Sequence, residues 1–289
     1  MKKSIFFPLF AVLFTIGIAI NNAQLRTPAA SPFAKVSQVI GLSETTIEYS
    51  RPGIKNRVIF GGLVPFDKIW RTGANASTIL TLAEDAMIEG NKVPAGKYSI
   101  YTIPGKKEWT IILNKNLKGG MNYPEGQDQC RFKVKPKALK EKAETFLISF
   151  SDVKNNSAYV DLTWEKTLVR FKLEFDVDGK IMAQIESDLA KPALDANWYY
   201  SAANYYYENG KDLNKALGWI NKSLELNGNA YWVYRVKSLI QAKLGDFAGA
   251  VETAGTGKIK AQEGKNEQYV KYNEDSIKEW SKKLKSKKK

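Results

Sequence analysis

The sequence predicts a β domain, built as an antiparallel β-sandwich or a partly closed barrel, followed by a short helical solenoid. Two observations carry this prediction. From residue 33 to about residue 175 the chain alternates apolar and polar residues in strand-length runs separated by Gly, Pro and Asn. From residue 195 onward, aromatic, Asp and Ala positions recur at a spacing of 34 residues. A third observation bears on compartment: Lys2 and Lys3 precede an apolar run from Ile5 to Ile20, which ends in Asn21, Asn22 and Ala23.

That N-terminal pattern is the charged, apolar and small-residue order of a secretory signal. The run is short for a bilayer span, which needs about 20 apolar residues. Residues 1–23 are therefore expected to be a cleaved signal peptide, and the protein periplasmic or extracellular with no transmembrane span after cleavage. Residues 24–32, with Pro28 and Pro32, form a lead-in.

The β domain, residues 33–175, follows strand by strand. Val36–Ile40 and Thr45–Tyr49 alternate around a Gly41-containing turn, and Thr78–Leu82 and Met87–Ile88 are expected to pair around Ala83, Glu84 and Asp85. Lys97–Ile103 and Trp109–Leu113 flank Pro104 and Gly105, whose backbone restrictions enforce a turn. Further strands are expected at Arg131–Val134, Glu144–Phe150, Ala158–Trp164 and Leu168–Phe175, with turns at Asn155-Asn156 and Glu165-Lys166. Short connections favour antiparallel pairing over crossover helices.

Residues 176–194 are expected to be a linker: Asp178-Gly179 suggests a turn, Ile181–Leu189 a short helix or extended arm, and Pro192 a break. In the helical region, residues 195–289, the pairs Trp198/Trp232, Tyr200/Tyr234, Asp212/Asp246, Leu213/Phe247 and Ala216/Ala250 are each 34 residues apart. Gly210 and Gly245 fall in the two turns, and Val270, Ile277, Trp280 and Leu284 suggest an amphipathic capping helix before a Lys-rich tail. Period and residue types are similar to tetratricopeptide repeats, a resemblance that implies a surface for a protein or peptide partner, or a scaffold.

Composition excludes several chemistries. The chain has no histidine and a single cysteine, Cys130. The common zinc sites and the Ser-His and Cys-His nucleophile pairs are thereby removed, and no intramolecular disulfide forms. No Gly-rich phosphate loop or dinucleotide fingerprint is present, and neither a cofactor nor a metal is expected. Much of the +14 formal charge sits in Lys2, Lys3 and the Lys-rich end, so nucleic acid is not the expected partner.

Three segments occur in order in the β domain: Tyr49-Ser50-Arg51-Pro52-Gly53, Lys68 through Asn75 (KIWRTGAN), and Ala95 through Pro104 (AGKYSIYTIP). Together they resemble the bacterial family called domain of unknown function 2911, common in exported proteins, over about residues 33–175. The resemblance implies a domain boundary and a compartment but no catalytic residues.

Two groups of residues are candidate sites. Arg51, Trp70, Arg71 and Asn75 combine fixed charge, a stacking surface and an amide in segments attached to strands, suited to a small anionic ligand or a glycan. The plainer reading is that the arginines cap strand ends and Trp70 fills the core. Trp198, Tyr199, Tyr206 and Tyr207 belong to a helix too rich in aromatics for all to face one side, which suggests a partner surface, against the plainer reading of repeat packing. Glu44, Glu48, Glu84, Asp85, Glu89 and Glu108 show no spacing that singles out a catalytic pair. The expected function is that of a non-catalytic envelope protein whose helical repeats engage a protein or peptide. The alternative is an enzyme or glycan-binding module with its site on the β domain.

Overall fold

Side chains alternate across a strand, so a period-two pattern buries one face of a sheet. The computed structural model, which describes residues 27–286, follows that rule. Ten strands form two antiparallel sheets. The first runs β1 (Phe33–Ile40), β2 (Ser43–Ser50), β3 (Thr78–Leu82), β6 (Gly96–Ile103), β7 (Trp109–Asn114) and β8 (Asp128–Val134). The second runs β5 (Asn91–Val93), β4 (Ala86–Ile88), β10 (Ser157–Glu174) and β9 (Lys137–Ser151).

Neither sheet closes on itself, so of the two architectures expected for the β domain the open sandwich is the one formed. Tyr49 on β2 spans the core to β9, where its hydroxyl donates to the Ile148 carbonyl at 3.1 Å and accepts from the Ile148 amide at 2.9 Å. Phe132 and Phe171 meet edge to face across the sheets at 5.5 Å.

Three strand expectations need correction. The segments 78–82 and 86–88 do not pair: the turn at 83–85 passes the chain from one sheet to the other, and β4 pairs with β5 and β10 instead. The short strand β5 lacks an alternating run long enough to announce it. The expected turn at Glu165-Lys166 is a bulge within the single long strand β10, where the register with β9 shifts on both sides of Glu165. Glu165 adopts φ 53°, and this one left-handed residue bends the strand without reversing it.

The expected linker is mostly helix. Helix α1 (Val177–Leu189) includes Asp178 and Gly179, and Ile181, Met182 and Ile185 pack into the helical core. It is followed by α2 (Ala196–Glu208), α3 (Leu213–Leu226), α4 (Tyr231–Leu244), α5 (Phe247–Glu263) and α6 (Glu267–Ser286). Residues spaced by 34 do equivalent work. Asp212 caps α3 by accepting from the Asn214 and Lys215 amides, and Asp246 caps α5 by accepting from the Gly249 amide. Ala216 and Ala250 are fully buried where helices meet, and Trp280 of α6 packs with Ala250 and Ala254.

The chain divides into two compact units at Asp176/Val177. The expected signal peptide lies outside the described residues. Among the described residues, no helix is long and apolar enough to cross a membrane.

Candidate functional site

The connection between β2 and β3, residues 51–77, is long for a compact domain, and long loops of this kind commonly bind ligands. It is fastened to both sheets. On the β9 side the Phe146 amide donates to the Pro52 carbonyl at 2.9 Å and the Ile54 amide to the Glu144 carbonyl at 2.8 Å. On the β6 side Trp70 and Thr102 exchange both backbone hydrogen bonds, at 2.7 and 2.9 Å. Ile54, Ile59 and Val64 are buried, so the loop has its own apolar anchor points.

Past Trp70 the backbone is strained. Thr72 is fully buried with φ 56°, unusual for a β-branched residue. Its Oγ1 bonds Thr102 Oγ1 at 3.1 Å, while its carbonyl accepts from Thr78 Oγ1 at 2.5 Å. Gly73 follows at φ 143°, where an added Cβ would stand 3.2 Å from the Ser50 carbonyl. Its own carbonyl accepts from Trp70 Nε1 at 3.2 Å. These bonds brace the backbone on both sides of Arg71.

Arg71 lines a cavity of about 460 Å³ between the 52–74 loop and the turn at 120–123. Trp70 and Trp164, stacked at 5.7 Å and 20°, form one wall with Tyr101, and Leu63 and Ile69 add apolar surface. Met121 stands in the lining with 82 % of its surface exposed. Behind that wall Phe60, Trp109 and Phe146 pack edge to face or tilted on the two tryptophans, which fixes the ring planes.

The charge of the site has one sign. Among the described residues its only ionised lining side chains are Arg57 and Arg71, with no Asp or Glu. Arg57 donates Nε to the Ile54 carbonyl at 3.0 Å and Nη2 to the Gly53 carbonyl at 2.7 Å, leaving Nη1 over. The Arg71 guanidinium has no hydrogen bond or ion pair among the described residues. Two further polar atoms in the wall, Trp164 Nε1 and Tyr101 Oη, are sealed from solvent and have no hydrogen bond of normal geometry.

Burial raises the pKa of Tyr101, against a smaller opposing effect of the neighbouring Ser77 hydroxyl. Burial and then the hydrogen bond to Asp128 raise that of Tyr123. Both phenols are therefore neutral at physiological pH.

The four residues singled out in the β domain divide evenly. Trp70 and Arg71 line the cavity. Arg51 turns to β9, with Nε on the Phe146 carbonyl and Nη2 on Thr145 Oγ1, both at 3.0 Å, so it ties the loop to the sheet. Asn75, at φ 58°, donates to the Ser31 carbonyl at 3.1 Å and to Ser50 Oγ at 3.3 Å.

Arg57, Tyr101, Met121 and Trp164 are missing from the residues named from sequence. Arg57 lies in the same loop as Arg51 and carried an equal signal, whereas Tyr101 and Trp164 sit in strand patterns that look like ordinary core. None of the six scattered carboxylates lines the cavity.

The aromatic group of α2 is used largely in packing. Tyr206 is buried, 4.7 Å from the Trp219 ring. Trp198 lies against Trp219 at 6.1 Å and donates Nε1 to Asp188 Oδ2 at 2.8 Å, in a smaller cavity of about 280 Å³ whose acid is already paired with Lys191. Tyr199 packs on Trp198 at 5.3 Å, and Tyr207 lies under Lys243 Nζ at 5.2 Å.

No curated protein and no solved structure matches the chain. Residues 31–173 match the family model described as a protein of unknown function (DUF2911), and it is the β domain, with the cavity around Arg71, that is similar to this family.

Proposed function

We propose that the protein is an exported, non-catalytic binding protein whose β domain receives a small anionic ligand in the cavity around Arg71. The observation that supports this most is an arginine that has no partner among the described residues, in a cavity whose described lining holds two cations and no acid. A partly desolvated cation without a counter-charge is unfavourable, and a bound anion offsets that cost. Strained backbone at Thr72 beside Arg71 supports the reading, because strain of this kind collects at ligand sites. Binding is favoured over acid–base catalysis because the titratable groups of the lining are arginines and tyrosines of raised pKa, poor bases near neutrality.

The N-terminal sequence from Lys2 to Ala23 supports export. For the helical unit, the 34-residue spacing and the paired helices support a tetratricopeptide-like scaffold. On that reading the helical repeats would engage a protein or peptide partner.

The test is thermal unfolding of the full chain against a panel of small carboxylates, sulfonates and phosphates beside neutral and cationic analogues. Anions are expected to raise the melting temperature of the parent and not of Arg71→Ala. No response to any anion, or an equal response in Arg71→Ala, overturns the proposal.

A further inference from the structure

We infer that the ligand is a carboxylate carried on an apolar or aromatic body with few hydrogen-bond donors, in preference to a sugar acid or a phosphate ester. This rests on the reading of the cavity as an anion site and names the class of anion. Three features of the lining point the same way.

The first is the balance of donors and acceptors. Among the described residues the side chains that line the cavity include no Asp, Glu, Asn or Gln, so the side-chain acceptors open to sugar hydroxyls or amines are limited to the hydroxyls of Ser31, Tyr101 and Tyr123. The charged donors stand ready: among the described residues Arg71 is free, and Arg57 keeps Nη1. A ligand rich in hydroxyl groups would bury donors against this surface without partners, at a cost of about 1–3 kcal/mol for each. A ligand that brings acceptors only has no such penalty.

The second is the number and kind of cations. One free guanidinium matches one planar carboxylate through two parallel hydrogen bonds. Dianionic phosphate is usually met by several cations or by a helix N-terminus. Among the described residues the lining contains no lysine and no helix, and Arg57 has already given two nitrogens to the backbone.

The third is the shape of the remaining surface. Trp70 and Trp164 present an aromatic wall locked by the rings behind them, and Leu63, Ile69 and Met121 add aliphatic and thioether surface. Such walls bury a flat or apolar body, while the few polar groups fix its orientation. Arg71 follows Trp70 directly in the chain, so the charged end of the ligand meets Arg71 while its body lies along the tryptophan wall.

Isothermal titration calorimetry of the full chain separates this inference from the reading beneath it. The probes are 2-naphthoate, 2-naphthyl phosphate, glucuronate and neutral 2-naphthylmethanol. We expect 2-naphthoate to bind at least about tenfold more tightly than each of the others, a difference of about 1.4 kcal/mol. Arg71→Lys is expected to weaken it by about tenfold or more, since an ammonium cannot replace the planar fork.

Tighter binding of glucuronate or naphthyl phosphate, still lost in Arg71→Ala, overturns the carboxylate assignment and leaves the anion site standing. Equal binding of 2-naphthylmethanol and 2-naphthoate shows that charge is not read and overturns both. No binding of the three anions, together with no thermal response to the wider anion panel, also sinks the anion reading itself.

Discussion

Arg51 and Arg71 lie in the same loop, yet their guanidinium groups meet opposite surroundings, and that difference is measurable without any ligand. Removing Arg51 leaves the Phe146 carbonyl and the Thr145 hydroxyl without their donor. Arg51→Ala is therefore expected to cost about 1–3 kcal/mol and to lower the melting temperature by several degrees. Arg71→Ala strands no internal acceptor and is expected to change stability by less than about 0.5 kcal/mol. Thermal unfolding followed by circular dichroism compares the two; equal losses would make Arg71 a structural residue after all. Cys130 offers a second test at this scale. Burial, and then the nearby Asp128 charge, push its thiol up to about 11. At pH 8 the folded chain should react with a disulfide reagent many-fold more slowly than the urea-unfolded chain, and equal rates would contradict a half-buried thiol of raised pKa. Trp70 and Arg71 were legible from sequence because an aromatic and a cation stood together in a glycine-containing segment between strands. Arg51 and Asn75 carried the same signal, but only tertiary structure decides whether such a side chain meets a backbone carbonyl or open space.

The elements show what periodicity conveys and what it omits. Strands β3, β6 and β7 lie within one residue of where the sequence puts them: β3 buries one full face, and β6 and β7 are apolar enough to be buried over most of their length. The sequence pattern divides β10 in two because Glu165 and Lys166 interrupt it, and a polar pair looks alike in a turn and in a bulge. For helix α1 the sequence offers only a short helix or extended arm over Ile181–Leu189, because its Asp-Gly start suggests a turn and Ile181, Met182 and Ile185 form a narrow apolar stripe. Near its end Asp188 gathers the Lys191 ammonium and the Trp198 indole N–H, which hold its carboxyl below the usual carboxylate range. At the start of α1, Lys211 and then Tyr205 do the same for Asp178. A carboxylate with a depressed folded pKa contributes stability that is fully present above its unfolded value, about 3.9, and is lost as pH falls through the folded value. The helical unit is therefore expected to lose ellipticity at 222 nm on acidification below about pH 4. Asp188→Asn should lower stability at pH 7 and flatten that acid dependence; an unchanged acid profile would remove Asp188 from the explanation.

At the scale of the whole molecule, two units have separate cores, and the boundary between them falls at Asp176/Val177. Composition and period made the change from β to α legible, but they set the helical region to begin near residue 195, because the 34-residue spacing says nothing of a helix that precedes the first pair. A fragment of residues 27–176 is expected to unfold cooperatively on its own. For the helical part, a fragment starting at Val177 should show a sharp transition, whereas one starting at Asp195 lacks Ile181, Met182 and Ile185 and should melt broadly and at lower temperature. Indistinguishable melting of the two helical fragments would show that α1 adds nothing to that core. The central claim belongs to the β unit: the cavity beside the Trp70–Trp164 stack is a carboxylate site organised by Arg71. The most direct measurement is a crystal structure of the chain with saturating 2-naphthoate. The account predicts the carboxylate within hydrogen-bond distance of the Arg71 guanidinium and the rings against Trp70. A ligand bound elsewhere, or an Arg71 turned away to an internal acceptor with the cavity filled by side chains, would contradict it.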